Sequence, residues 1–302
     1  MTKIIIKLNK EVYSPGEKVN GALEILSNGS LKAKNFKLLV SGVENTDIHK
    51  GENYSSSNIF FQQDLSHFLD TTNGSHYHNG TWELENGVKV IPFQFAIPPD
   101  ALESYEGKYA KILYTINAKQ AKNYFHMNIN ETLSFMIENV ENSERSIPMR
   151  TVVSEAQNKN GISFKVEIEK DTFSPGGTIR GKLVINNTSK KKINGATLFL
   201  RGKEYAIGQE DVSAEIDFNG LSFKLPIKRK GKKSKEMVTV SECAKSYVEL
   251  NDLDTVPFEI QIPEDVIRSY NGKVSNYSWI LATKLDVHWD KDLHAESMIH
   301  IK

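Results

Sequence analysis

The two halves of the chain repeat one another, and a repeat on this scale restricts the fold to one unit used twice. Tyr13-Ser14-Pro15-Gly16-Glu17-x-Val19-x-Gly21 returns 160 residues later as Phe173-Ser174-Pro175-Gly176-Gly177-x-Ile179-x-Gly181. Leu38 to Gly42 with Glu44 returns at the same shift as Leu198 to Gly202 with Glu204. Ile91-Pro92-Phe93-x-Phe95-x-Ile97-Pro98 returns 165 residues later as Val256-Pro257-Phe258-x-Ile260-x-Ile262-Pro263, and Ser104-Tyr105-x-Gly107-Lys108 follows suit as Ser269-Tyr270-x-Gly272-Lys273. Shared turn vocabulary explains one such block but not four in the same order. With 302 residues, each copy has the size of an ordinary domain with its own core.

The local pattern is that of strands. In Ser14-Pro15-Gly16-Glu17, proline sets φ at the first corner and glycine tolerates a positive φ at the second, which predicts a type II turn. Ile4, Ile6 and Leu8, Ile112, Tyr114 and Ile116, and Ile162, Phe164, Val166 and Ile168 alternate with polar residues, the period of a strand with one buried face. Trp279, Leu281, Leu285, Val287 and Trp289 share one parity, and all three tryptophans, Trp82 included, are expected in cores. Asn28-Gly29, Asn86-Gly87, Asn194-Gly195 and Asn219-Gly220 read as turns between strands. Helical spacing is confined to Phe61, Leu65, Phe68 and Leu69, a segment that reads equally as strand and loop. The expected fold is all-β: two tandem antiparallel β-sandwich domains, residues 1–154 and 155–302, with at most one short helix. The polar stretch 138–161 is read as the connector.

Composition removes several classes of function. Lys+Arg and Asp+Glu both number 38, so no global field draws the chain to nucleic acid or membrane. The opening apolar run, Ile4-Ile5-Ile6, is too short for a signal-peptide core, and no apolar run is long enough to span a bilayer. Cys243 is the sole cysteine, so no intrachain disulfide forms. A cytoplasmic protein, at most peripheral on a membrane, is expected. Gly-x-Ser-x-Gly, phosphate-loop and His-Glu-x-x-His sequences do not occur, and no enzyme and no cofactor are expected.

The four blocks resemble motifs of the arrestin superfamily, in particular its α-arrestin branch. Tyr13-x-Pro15-Gly16-Glu17-x-Val19-x-Gly21 is similar to the family's early turn and strand, and Trp82-x-Leu84-x-x-Gly87 to Pro92-Phe93-x-Phe95 to its proline-phenylalanine strand. Ile97-Pro98, Ser104 to Lys108 and Ile112-x-Tyr114-x-Ile116-x-Ala118 resemble the close of the N-domain; Phe173-x-Pro175-Gly176 and Asn187-x-Ser189 resemble the opening of the C-domain. The resemblance implies a non-catalytic adaptor or scaffold in membrane-protein trafficking or signalling, with cargo tails and coat or GTPase components as protein partners. Two features depart from the family. The sequence stops at Lys302, where a regulatory tail with coat-binding motifs is expected in arrestins, and it has no Pro-Pro-x-Tyr. Ser104-Tyr105-x-Gly107 also resembles a motif of the arrestin-fold retromer subunit, so a sorting-coat role is the alternative.

Edge-strand addition of an extended partner is the expected binding mode. Charge offers a second candidate: Lys228, Arg229, Lys230, Lys232, Lys233 and Lys235 place six cations in eight residues, a density suited to phosphate or anionic lipid. The plainer reading is a solvated hairpin tip beyond Leu221 to Leu225. No aromatic residue interleaves that run, which argues against nucleic acid. His76 and His78, with Asp64 and His67 nearby in sequence, would share a strand face suited to a transition metal, but Asn-Gly pairs flank them and no third ligand is evident. No metal site is assigned.

Overall fold

The computed structural model describes residues 2–34, 36–50, 52–70, 75–78, 81–120, 130–138, 151–210, 213–218, 221–226, 233–248 and 255–302. The chain divides into two compact units, Met1–Asp47 with Ser55–Glu141, and Ile48–Tyr54 with Asn142–Lys302.

The first twelve strands are β1 (Thr2–Leu8), β2 (Val12–Tyr13), β3 (Lys18–Ser27), β4 (Leu31–Lys34), β5 (Phe36–Lys50), β6 (Glu52–Asp64), β7 (Ser75–His78), β8 (Thr81–Leu84), β9 (Gly87–Ala96), β10 (Tyr105–Glu106), β11 (Ala110–Gln120) and β12 (Asn130–Ile137). One sheet runs β1-β3-β9 and the facing one β6-β5-β11-β12-β2, with β10 on β11 and a small sheet β4-β8-β7. Between them Ile4, Ile6, Leu23, Ile25 and Phe93 meet Leu38, Val40, Ile112, Ile116 and Ile137, all buried. Tyr13 and Tyr114 pack on Phe135 with ring centroids 5.8 and 5.6 Å apart. Phe61 ends up in β6, and among the described residues one 3-10 turn, Ser66–Asp70, follows it; Leu65, just before the turn, and Leu69 within it are buried.

The second twelve are β13 (Val152–Gln157), β14 (Ile162–Ile168), β15 (Thr172–Phe173), β16 (Thr178–Asn187), β17 (Ile193–Glu210), β18 (Ser213–Phe218), β19 (Leu221–Pro226), β20 (Lys233–Val248), β21 (Thr255–Gln261), β22 (Tyr270–Asn271), β23 (Ser275–Val287) and β24 (Leu293–Ile301). One sheet runs β13-β14-β16-β21; the other runs β15-β24-β23-β17 with β20 on β17 and β22 on β23, while β18 and β19 pair as a separate hairpin. β13 falls within the stretch read as connector and spans residues on both sides of the expected 154/155 division. Within these antiparallel sheets two short pairings run parallel, β2 with β12 and β15 with β24, and they occupy matching places in the two copies.

The repeated blocks are the places where each sandwich touches itself. Gly16 and Gly176 adopt φ of +81° and +73° in type II turns closed by Glu17 N to Ser14 O at 3.1 Å and Gly177 N to Ser174 O at 3.0 Å. Each turn is tied to the proline-phenylalanine block, Gly16 N donating to Pro98 O and Gly176 N to Pro263 O. Gly21 lies opposite Phe93, and Gly181 opposite Phe258. A Cβ there would come within 2.4 Å of the Phe93 ring and 2.6 Å of the Phe258 ring, so only glycine leaves room for the aromatic cover. Ser104 and Ser269 staple the last strand of each copy: Ser104 N donates to Ile137 O while Ile137 N donates to Ser104 Oγ, and Ser269 does the same with Ile301.

Two sequence expectations are corrected. Trp82 and Trp279 are buried, but Trp289 is 90% exposed. β23 stops at Val287, and a turn closed by Asp290 N to Val287 O puts Trp289 at φ +57°, which breaks the parity that a continued strand would have kept. Asn194-Gly195 is no turn but an irregularity inside β17, where the register shifts against β23 and the Tyr247 hydroxyl donates to Asn194 O.

Candidate peptide-binding edge

The unit-one sheet β1-β3-β9 and the unit-two strands β14-β16-β21 match residue for residue. Ile4, Ile6 and Leu8 lie opposite Ile25, Leu23 and Gly21; Phe164, Val166 and Ile168 lie opposite Ile185, Leu183 and Gly181. Each of these two sheets has two lateral edges, and these differ in what occupies them.

On the β9 and β21 side, Ile97 N donates to Glu17 O and Ile262 N to Gly177 O, so by alternation the nitrogens of Pro92 and Pro257 fall on the outer edge. Proline has no N–H to offer there, which blunts the edge as a pairing template. On the other side of unit two, β13 pairs along β14 from Val152 opposite Ile168 to Gln157 opposite Ser163. Its return turn is built by Asn158, whose Oδ1 accepts from Asn160 N and Ile162 N, both at 3.0 Å. Ser154 on β13 also meets Ser297 of β24, Oγ to Oγ at 2.7 Å. Asp290 ties three turns at that end: its carboxylate accepts from Lys191 Nζ at 2.8 Å, Asn160 Nδ2 at 2.6 Å and Lys291 N at 2.8 Å. Chiefly the Lys191 bond, then that of Asn160, holds its pKa down at about 2.

Among the described strands β1 pairs with β3 alone. Asn9 N donates to Asn20 O, so alternation turns the backbone groups of Leu8, Ile6 and Ile4 away from β3, as it does those of Ile168, Val166 and Phe164 toward β13. The β1 edge thus presents, in the first copy, the hydrogen-bonding row that β13 satisfies in the second. Leu133 of β12, the counterpart of Ser297, is half-exposed beside it. Lys3 and Lys7 flank the row, Lys7 paired with Glu24 at 2.7 Å.

The residues singled out from sequence are placed as follows. Lys228, Arg229, Lys230 and Lys232 lie outside the described residues; Lys233 and Lys235 open β20, opposite Gln209 and Ile207. His76 and His78 are exposed on β7, opposite Glu83 and Thr81, and His67 stacks on Phe68 at 4.1 Å. Among the described residues no three His, Cys, Asp or Glu side chains gather as a metal-holding group. Sequence reasoning gave no role to Glu44 and Glu204, which are fully buried at matching positions; Asn58 Nδ2 donates to Glu44 Oε2 at 3.4 Å. The only signal for them was their recurrence at the 160-residue shift.

Two sheet pairs of one pattern, with repeated turns and staples, define a tandem β-sandwich of adaptor type. The family model described as Arrestin (or S-antigen), N-terminal domain, matches residues 2–143, and that described as Arrestin (or S-antigen), C-terminal domain, matches residues 158–302. The chain belongs to the arrestin superfamily, whose members generally act as non-enzymatic adaptors in trafficking and signalling. No curated protein matches the chain. Among the described residues no helix is long and apolar enough to cross a membrane.

Proposed function

We propose that the protein is a non-catalytic cytoplasmic adaptor that holds an extended segment of a protein partner, such as a cargo tail, as an added strand on β1. The observation that carries this reading is the pairing of β13 with β14: the same fold, in the same chain, already accepts an antiparallel strand at the corresponding edge. Among the described residues, β13 covers one lateral edge of these two sheets and Pro92 and Pro257 blunt two others, which leaves Ile4, Ile6 and Leu8 as the row a partner would use. Main-chain bonds supply affinity without fixing sequence, while alternate side chains of the segment would cover Leu133 and the β1–β12 seam. A preference for small or apolar residues at every second position follows.

Peptides selected for binding to the full chain from a displayed library test this directly. N-methylation at successive positions of a selected peptide should abolish binding at every second residue, because only alternate amides face β1. Sensitivity without a period of two, or none at all, would remove strand addition as the mode.

A further inference from the structure

The outward face of β1-β3-β9 differs in kind from its copy in the second unit. Ile4, Leu23, Ile25 and Ile91 are buried in the core, so alternation turns Ile5, Ala22, Leu26, Val88, Val90 and Pro92 to the other face. Leu26 lies opposite Val88 and Ala22 opposite Pro92, with Val90 between them and Ile5 diagonal to both β3 residues. Val88, Val90 and Leu26 are 68%, 50% and 40% exposed, so these apolar residues form one wet strip rather than scattered points. The matching face of the second unit is polar. At the 160-residue shift Lys165, Lys182 and Asn186 stand in place of Ile5, Ala22 and Leu26, and at the 165-residue shift Thr255 stands in place of Val90. Lys165 and Lys182 both pair with Glu167, at 2.8 and 2.9 Å, and Arg180 pairs with Glu259 at 2.8 Å. Both sheets form with the same strand pairing, so the fold does not require the apolar face.

Three adjacent strands supply the strip, a width of about 10 Å, which is the diameter of an α-helix. From Val88 to Pro92 it runs about 14 Å, or roughly two to three helical turns. An extended segment laid on this face would leave its backbone groups unpaired, whereas a helix bonds its own. Lys3, Lys7 and Lys18 are exposed on the same face beside one acid, Glu24, which Lys7 meets at 2.7 Å. Among the described residues Lys3 and Lys18 make no ion pair, so the surplus charge is positive and acidic residues beside an apolar stripe complement it. A second copy would set cation against cation, on a strip too small for a stable dimer. A bilayer would press hydrocarbon onto Glu24, whose side chain stands at the centre of the strip and is 25% exposed. We infer that the outward face of β1-β3-β9 docks a short amphipathic helix of a protein partner, its apolar stripe over Leu26, Val88 and Val90 and its acidic residues toward Lys3 and Lys18. This face is distinct from the β1 edge and stands without the strand-addition reading.

Selection against the full chain from a displayed library of three-turn helices with randomised surfaces tests the assignment. Selected helices should carry apolar residues at i, i+3, i+4 and i+7 with Asp or Glu beside them. In the parent chain they should shift the amide resonances of Leu26, Val88 and Val90. The pair Val88→Thr and Val90→Thr keeps the β-branching that suits a strand and should weaken a selected helix at least about tenfold. Lys3→Glu should weaken it about threefold at low salt, with the difference fading as salt rises. Helices that shift other resonances, bind the threonine pair at full affinity or favour basic flanks would each overturn the docking face. So would a dimer of the parent chain that the threonine pair dissolves, or binding to phosphatidylserine vesicles that the same pair abolishes.

Discussion

Gly21 and Gly181 carry more of the fold than their size suggests. Each is roofed by the phenylalanine of a block that lies some seventy residues away in sequence, so the recurrence of both blocks is the recurrence of one contact. Gly21→Ala would drive a methyl into the Phe93 ring and Lys7 O, and should cost about 1–3 kcal/mol in a denaturant melt, as overpacking does. The two copies also reach one end with different chemistry. Tyr114 Oη donates to Leu102 O at 2.6 Å, while at the matching site Trp279 Nε1 donates to Ile267 O at 2.7 Å. Burial pushes the Tyr114 hydroxyl up, so it stays a donor across the physiological range. Sequence displayed the glycine, proline and serine positions because rigid backbone tasks admit few residue types. It did not display the Tyr114–Trp279 equivalence, since a buried donor can sit on either ring.

At the scale of elements, β13 is what sequence concealed. Val152 to Gln157 sets Val153, Glu155 and Gln157 on one parity and Val152, Ser154 and Ala156 on the other, a pattern too weak to separate from a linker. Its strand character comes from the waiting row on β14 and from the Asn158 turn, both tertiary facts. The consequence is measurable by amide exchange: Phe164, Val166 and Ile168 should be protected in the free protein, while Ile4, Ile6 and Leu8 exchange fast until an added strand covers them. Uniform protection of β1 in the free chain would contradict the open edge. The Asp290 clamp bears on the same end of unit two. Because its folded pKa lies at about 2, below the ordinary 3.8, the clamp's contribution is complete above the unfolded value and is lost as pH falls through about 2. Asp290→Asn should therefore melt below the parent near neutrality, with the gap closing on acidification between about pH 4 and about 2; a gap that persisted at pH 2 would refute the ionic role.

For the whole molecule, the repeat made both the architecture and the family legible, since four ordered blocks fix strand order more firmly than any local propensity. Placement of the proposed partner edge was not legible, because it depends on which edges the chain itself covers. Exposed sheet margins are templates for uncontrolled association, and doubling a sandwich doubles that hazard. By laying β13 along β14, the chain covers one such margin of the second unit with its own backbone, whereas among the described strands the matching margin on β1 has β3 as its sole neighbour.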